Sequence, residues 1–214
     1  MRIPADAFKL RGFRRWVHSD DFPTNVRAAF LDGEIEIEMS PEEIETHAKV
    51  KSDVHAPLWG IVRTEDLGDL FVDRVLLVNK EANVSNEPDL LFCSWESLRS
   101  GRVSYREWKL GSERFVEVCG SPDLTVEIVS RSSVHKDLKR LPILYYAAGV
   151  GECWLIDARG RRVMFKIYTR GRRKFTLVKA DRDGYSHSPT FGRSFRLIRE
   201  TNPLGRSRYT LLSR

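Results

Sequence analysis

At 214 residues the chain has the length of one domain, or one domain with a small appendage, and can bury a core without metal or disulfide staples. Hydrophobic residues make up 41% and charged residues 31%, with five tryptophans, which excludes global disorder. The formal charge of +6 hides a division: residues 1–157 hold 20 basic and 27 acidic side chains, and residues 158–214 hold 16 basic and 3 acidic.

That basic C-terminal section leaves two readings open, a surface for a polyanion such as DNA or RNA and a solvated stretch that touches nothing. Three cysteines without a C-x-x-C pair are expected as buried thiols in a reducing compartment. The opening MRIPADAFKLRGFRRW lacks an apolar core of signal-peptide length, and no apolar run is long enough to cross a membrane, so the expected location is cytoplasmic with no membrane contact.

No internal repeat occurs, and residues 1–25, rich in Arg, Asp and aromatics, read as an N-terminal arm or a short helix-bearing extension. FLDGEIEIEMS (30–40) follows a Gly turn with Ile35 and Ile37 at a period of two, which predicts a half-exposed strand. In Ser40-Pro41-Glu42-Glu43 a helix start is predicted: Ser40 as N-cap, Pro41 at the first position, Glu43 closing a capping box. Ile44, Val50, Val54 and Leu58 extend that helix over 41–59, to a stop at Gly60.

Strands are then predicted at 68–79 and 87–94, while 95–114 has no clean period and reads as an insertion or a short helix plus loop. Residues 122–130 form a mostly apolar strand, expected to be central, so its one charge, Glu127, needs a reason. Leu138, Leu141, Tyr145 and Ala148 predict an amphipathic helix over 134–148 that kinks or divides at Pro142. Beyond it come a strand at 151–158 and a pair within 163–180 around a turn crowded with Arg170, Arg172, Arg173 and Lys174. Strand, helix and strand between 122 and 158 predict one right-handed α/β crossover.

Asp89 follows Pro88 at the entrance of an apolar strand, and Glu127 interrupts another. A buried carboxylate must be paired with a cation, bound to a metal or placed at an open sheet end. If the two strands are neighbours, both carboxylates meet at one site whose oxygens suit Mg²⁺. Otherwise Asp89 caps a turn and Glu127 pairs with a cation of the segment 131–140. Asp123 shares the parity of Glu127 but stands about 13 Å away along an extended strand. Glu45 and His135 read as surface residues, His47 and His55 are too far apart for a zinc pair, and no Gly-rich phosphate loop exists.

The run MSPEEIETHAKVKSDV, then GDLFVDRVLLVNKEANVSNEPDLLF, then SPDLTVEIVSRSSVHKDLKRLPILYYAAGVGECWLIDARG resembles the Uma2 or DUF820 family, a bacterial branch of the PD-(D/E)XK superfamily, over residues 26–170. The resemblance implies an α/β restriction-endonuclease-like domain over 26–180, a mixed β-sheet flanked by helices. Additional C-terminal β-strands and a basic extension, 181–214, would pack on it. It implies a Mg²⁺-dependent endonuclease, with Mn²⁺ as an alternative ion, that hydrolyses phosphodiester bonds of nucleic acid, DNA first. The superfamily's metal-binding Asp and Glu fall on Asp89 and Glu127, and His47 is shared without a clear role.

The Glu-x-Lys signature reads Glu127-Ile128-Val129 here, so its lysine is absent. Lys136 is the candidate catalytic replacement, with Lys139 three residues on. Where many relatives show Asp-x-x-x-Lys, this chain has Asp137 followed by Leu141. The alternative is an inactive nucleic-acid-binding or protein-interaction module of the same fold. Pairing into a homodimer, through Trp95, Tyr105 and Trp108, is a further expectation.

Overall fold

The computed structural model describes residues 1–214. Helix α1 (Leu10–Val17) precedes a hairpin of β1 (Arg27–Leu31) and β2 (Glu34–Glu38). Its loop, Asp32-Gly33, has φ of 50° and 93°, the left-handed pair that matches the twist of a two-residue hairpin. The turn and the strand expected after it are the hairpin loop and β2, and the residues before the turn pair with it as β1.

The next helix starts later than its Ser-Pro signal predicts and ends later than Gly60. Glu43 caps it, accepting the N–H groups of Glu45 at 3.3 Å and Thr46 at 2.6 Å. One wide turn (Ile44–Ala48) leads into α2 (Lys49–Thr64). Gly60 does not end α2 because its apolar face continues through Ile61 and buried Val62 into the core.

The run 68–79 also divides, into β3 (Gly68–Val72) and β4 (Leu76–Asn79). Asp73 and Arg74, at φ of 57° and 55°, turn the chain between them, and the two halves join different sheets. The chain crosses back through Glu87-Pro88-Asp89, between β5 (Val84–Asn86) and β6 (Leu90–Ser94). Residues 95–114 hold α3 (Trp95–Arg99) and β7 (Val103–Glu107), which pairs with β8 (Phe115–Gly120).

Strand β9 (Leu124–Ile128) is buried at every position. After a wide turn (Lys136–Arg140), α4 (Leu141–Ala147) carries Pro142 in its first turn, where a missing N–H is tolerated. Then come β10 (Glu152–Asp157), β11 (Met164–Arg170), β12 (Phe175–Leu177), β13 (Ser186–Ser188), β14 (Arg193–Thr201) and β15 (Ser207–Ser213).

One six-stranded sheet has the order β2-β1-β5-β4-β8-β7, a second β12-β11-β10-β9-β6-β3, and the last three strands form a sheet of their own. Both large sheets are mixed: β9 is parallel to β10 and antiparallel to β6, and β4 is parallel to β8. The second sheet is covered on both faces. On one, Val50, Val54 and Leu58 of α2 share a core with Trp154, Phe195, Tyr209 and Leu211, so the C-terminal sheet closes over the same helix. On the other, Leu141 and Tyr145 of α4 and residues of the first sheet meet Leu91, Cys153 and Leu155. Backbone N–H groups of Ser207 and Tyr209 donate to Glu45 and Asp53 of the α2 segment, each at 3.1 Å. The cysteines are free, and burial pushes the thiols of Cys93 and Cys153 up. No helix is long and apolar enough to cross a membrane.

Candidate functional site

Asp89 and Glu127 come together because β6 and β9 are neighbours. Leu90 stands opposite Val126, so the next step of the antiparallel register sets Asp89 against Glu127 at the strand ends. Asp89 then reaches across the end of β9, where its Oδ2 accepts the Ile128 N–H at 2.7 Å. Both carboxylates line a cavity of about 840 Å³, together with Glu38, Glu42, His47, Glu87, Lys136 and Asp137. Arg27, Arg74 and Arg131 line it too, the last two of them exposed.

The two carboxylates differ in how they are held. His47 Nε2 lies 3.5 Å from Oδ2 of Asp89, and Lys51 Nζ lies 3.4 Å from Oδ1. Burial opposes the charge of Asp89, but His47, Lys51 and the Ile128 N–H outweigh it and keep the carboxyl below its ordinary range. Glu127 has no such support. Its Oε1 accepts the Tyr145 hydroxyl and the Asn86 amide, the latter at 3.3 Å. Burial, then the negative charges of Asp137 and Asp89, hold its carboxyl well above the ordinary range against the pull of Lys136.

Lys136 opens the wide turn before α4, and its ammonium stands 3.7 Å from Asp137 Oδ1. Burial works against its charge, yet Asp137 and Glu127 raise its pKa overall. Burial first, with Asp89 and Glu38 adding to it, pushes Asp137 up to about 6 despite Lys136 and the Ser133 hydroxyl. Asp137 Oδ1 has no hydrogen-bond partner although it is buried. The cavity thus gathers more carboxylates than its nearby cations balance.

Other candidates lie elsewhere. Asp123 accepts the Ser94 N–H at 2.7 Å and pairs with Arg102, outside the cavity. Glu45 pairs with Lys49 at 2.6 Å, His55 packs on Trp59, and Lys139 is exposed. Val129, in the place of the signature lysine, is fully buried, and so is Leu141. Arg170 is fixed on the carbonyls of Tyr146 and Val150, at 2.7 and 3.2 Å, which leaves Arg172, Arg173 and Lys174 exposed in that turn. Trp95 donates to Asp66, Tyr105 to Asp69, and Trp108 packs between His18 and Arg114, so all three have partners within the chain.

Sequence reasoning passed over Asn86, Tyr145 and Lys51. A tyrosine at a buried helix position needs a partner for its hydroxyl, which was the available signal for Tyr145. Lys51 stands four residues after His47, a spacing that brings side chains to one helix face. No three of the His, Cys, Asp and Glu side chains stand gathered in an arrangement that holds a metal ion.

Mixed sheets covered by helices, with additional C-terminal strands, are a restriction-endonuclease-like architecture. The Uma2 family model, whose description reads "Putative restriction endonuclease", matches residues 11–198. The chain belongs to the Uma2 family. A crystal structure of a putative nuclease belonging to DUF820 from Anabaena variabilis is similar in fold, with a TM-score of 0.61 and 17% identity, covering 86% of this chain and 90% of that one. No curated protein matches the chain.

Proposed function

We propose that this protein is a Mg²⁺-dependent endonuclease that hydrolyses phosphodiester bonds of nucleic acid, DNA first, with Mn²⁺ able to replace Mg²⁺. The observation that carries the reading is the meeting of Asp89, Glu127 and Lys136 in one cavity at the ends of adjacent strands. The donor set fits a hard divalent cation: carboxylate oxygens in excess of their cations, one of them, Asp137 Oδ1, buried without a hydrogen bond. Asp89 and Glu127 would hold the ion. When bound, it supplies Lewis acidity toward a phosphate oxygen and makes a water molecule more acidic.

The chain's own groups do the rest. Asp89 is kept ionised by His47, Lys51 and the Ile128 N–H, so one oxygen ligand is ready at neutral pH. Lys136, held charged between Asp137 and Glu127, places a cation where negative charge grows on the phosphate. Exposed Arg74 and Arg131 offer contacts to neighbouring phosphates, and the turn of Arg172, Arg173 and Lys174 offers more. Buried Val129 favours one rival, a binding module that keeps the fold without the chemistry.

Two measurements on the full chain separate these readings. Cleavage of duplex DNA, single-stranded DNA and RNA is followed with Mg²⁺ and with Mn²⁺, for the wild type and for Asp89→Asn. Metal-dependent cleavage that falls about a hundredfold or more in D89N is the expected result. A wild type inactive with both ions on all three substrates overturns the endonuclease reading. Binding is followed against salt, and its affinity should drop steeply, since each phosphate neutralised releases condensed counterions. No binding even at low salt overturns the nucleic-acid partner as well.

A further inference from the structure

Lys51 is the only buried lysine of the chain. Its ammonium stands 2.6 Å from Glu42, 3.4 Å from Asp73 and 3.4 Å from Asp89. These carboxylates come from three segments: the loop before α2, the left-handed turn between β3 and β4, and the link between β5 and β6. Lys51 does not line the cavity, so it reaches Asp89 from behind. An ammonium this deep persists only where its partners outweigh its lost hydration.

Each neighbour of Lys51 also holds a second cation. Glu42 contacts His47 Nδ1 at 2.6 Å, and Asp73 contacts Arg27 at 2.8 Å. Arg27, Asp73, Lys51, Glu42 and His47 thus form a chain of alternating charge. Its central and its last basic group address different oxygens of one carboxylate, Lys51 facing Oδ1 and His47 facing Oδ2 of Asp89. A carboxylate addressed on both oxygens cannot rotate freely about its last bond. Without the ammonium, Glu42, Asp73 and Asp89 would repel one another across the gap.

We propose that Lys51 is a positioning residue that fixes the Asp89 carboxylate and gathers the Glu42 and Asp73 segments around it. What Asp89 is fixed for, a divalent cation shared with Glu127, rests on the function proposed above. How Asp89 is fixed does not. Lysine here acts through Asp89 and touches neither ion nor substrate. Loss of it should weaken cation affinity as loss of other groups that orient a ligand does, by ten- to a hundredfold.

The test uses the full chain, first without metal. In a cycle of Lys51→Met, D89N and the double variant, the two changes should be non-additive by about tenfold in the unfolding equilibrium constant. Mn²⁺ affinity, measured by calorimetry, should fall about tenfold or more in K51M and return to within roughly threefold of the wild type in Lys51→Arg. Additive effects, or K51M with wild-type Mn²⁺ affinity, overturn the proposal. Tenfold coupling in a wild type that binds no Mn²⁺ defeats the metal reading and supports Lys51 as the holder of Asp89. Should K51M fail to fold, ¹⁵N-lysine protein carries the test. The Lys51 Nζ resonance should be protected from solvent exchange and move in D89N, and an unmoved or unprotected resonance overturns the proposal.

Discussion

Glu127→Gln is expected to remove metal-dependent cleavage, by more than about a hundredfold, while leaving the metal-free protein at least as stable as the wild type at pH 8. The stability half follows from the surroundings of Glu127. No arginine reaches it, its Oε1 is bonded by neutral groups, and burial with the charges of Asp137 and Asp89 disfavours its ionised form. A glutamine oxygen can accept from Tyr145 and Asn86 as the carboxylate does, and it carries no charge.

The sign of the pH dependence is fixed by the raised pKa. Folded Glu127 binds its proton more tightly than the unfolded chain, whose carboxyl titrates near 4.5. Through this group the wild type therefore loses stability as pH rises above 4.5 toward the folded pKa, a contribution that E127Q lacks. The advantage of E127Q should be present at pH 8 and vanish by about pH 4. Thermal unfolding without metal at both pH values, beside cleavage with Mg²⁺, checks both halves. Unchanged cleavage, or a large loss of stability in E127Q at pH 8, defeats the assignment of Glu127 as a ligand.

The site was legible where chemistry conflicts with burial. A single charge in LTVEIV marks a strand that has to place that charge somewhere, and the adjacency of β6 and β9 makes Asp89 its neighbour. Its support was not legible. Read by its apolar positions, α2 treats the lysine between Val50 and Val54 as solvated, and only the carboxylates of Glu42, Asp73 and Asp89 reverse that. The break in 68–79 was hidden for a local reason: Asp73 and Arg74 take left-handed backbone without the glycine that usually announces it. That break matters to the site, because it sends the chain from one sheet to the other and puts Asp73 beside Lys51.

Strand β8 was missed for a similar reason at long range. Glu117 breaks the apolar pattern of FVEVCG, and two of the groups that bond it, Arg14 and His18, lie 103 and 99 residues earlier, on and just beyond α1. Residues 1–25 thus reach the β-sheet through charge as well as through the packing of Phe13 and Trp16 on Phe30.

Replacing Glu117 by Gln should be among the most destabilising neutral substitutions in this chain, at about 3 kcal/mol near pH 7. Its side chain is fully enclosed, while Arg14 Nε and His18 Nε2 each lie 3.0 Å from Oε1 and Arg106 Nη1 lies 3.0 Å from Oε2. Arg106 is half exposed and adds little, but Arg14 is 11% exposed and would be left without a charge partner. At roughly 2–4 °C per kcal/mol for a chain of this length, the melting temperature should fall by about 6–12 °C. Burial opposes the charge of Glu117, but the bonds from His18, Arg14 and Arg106 outweigh it and hold the carboxyl far below its ordinary value of 4.5. A depressed carboxyl contributes stability that is present above 4.5 and is lost as pH falls toward the folded pKa. Wild type and E117Q should therefore differ most near pH 7 and converge in acid, as wild type and E127Q do, but with the opposite sign: here the wild type is the more stable protein. Because Glu117 is outside the cavity, E117Q that remains folded at 25 °C should keep the nucleic-acid affinity of the wild type. A loss below about 1 kcal/mol at pH 7, or a difference that does not shrink in acid, would show that Arg14, His18 and Arg106 do not hold Glu117 in solution.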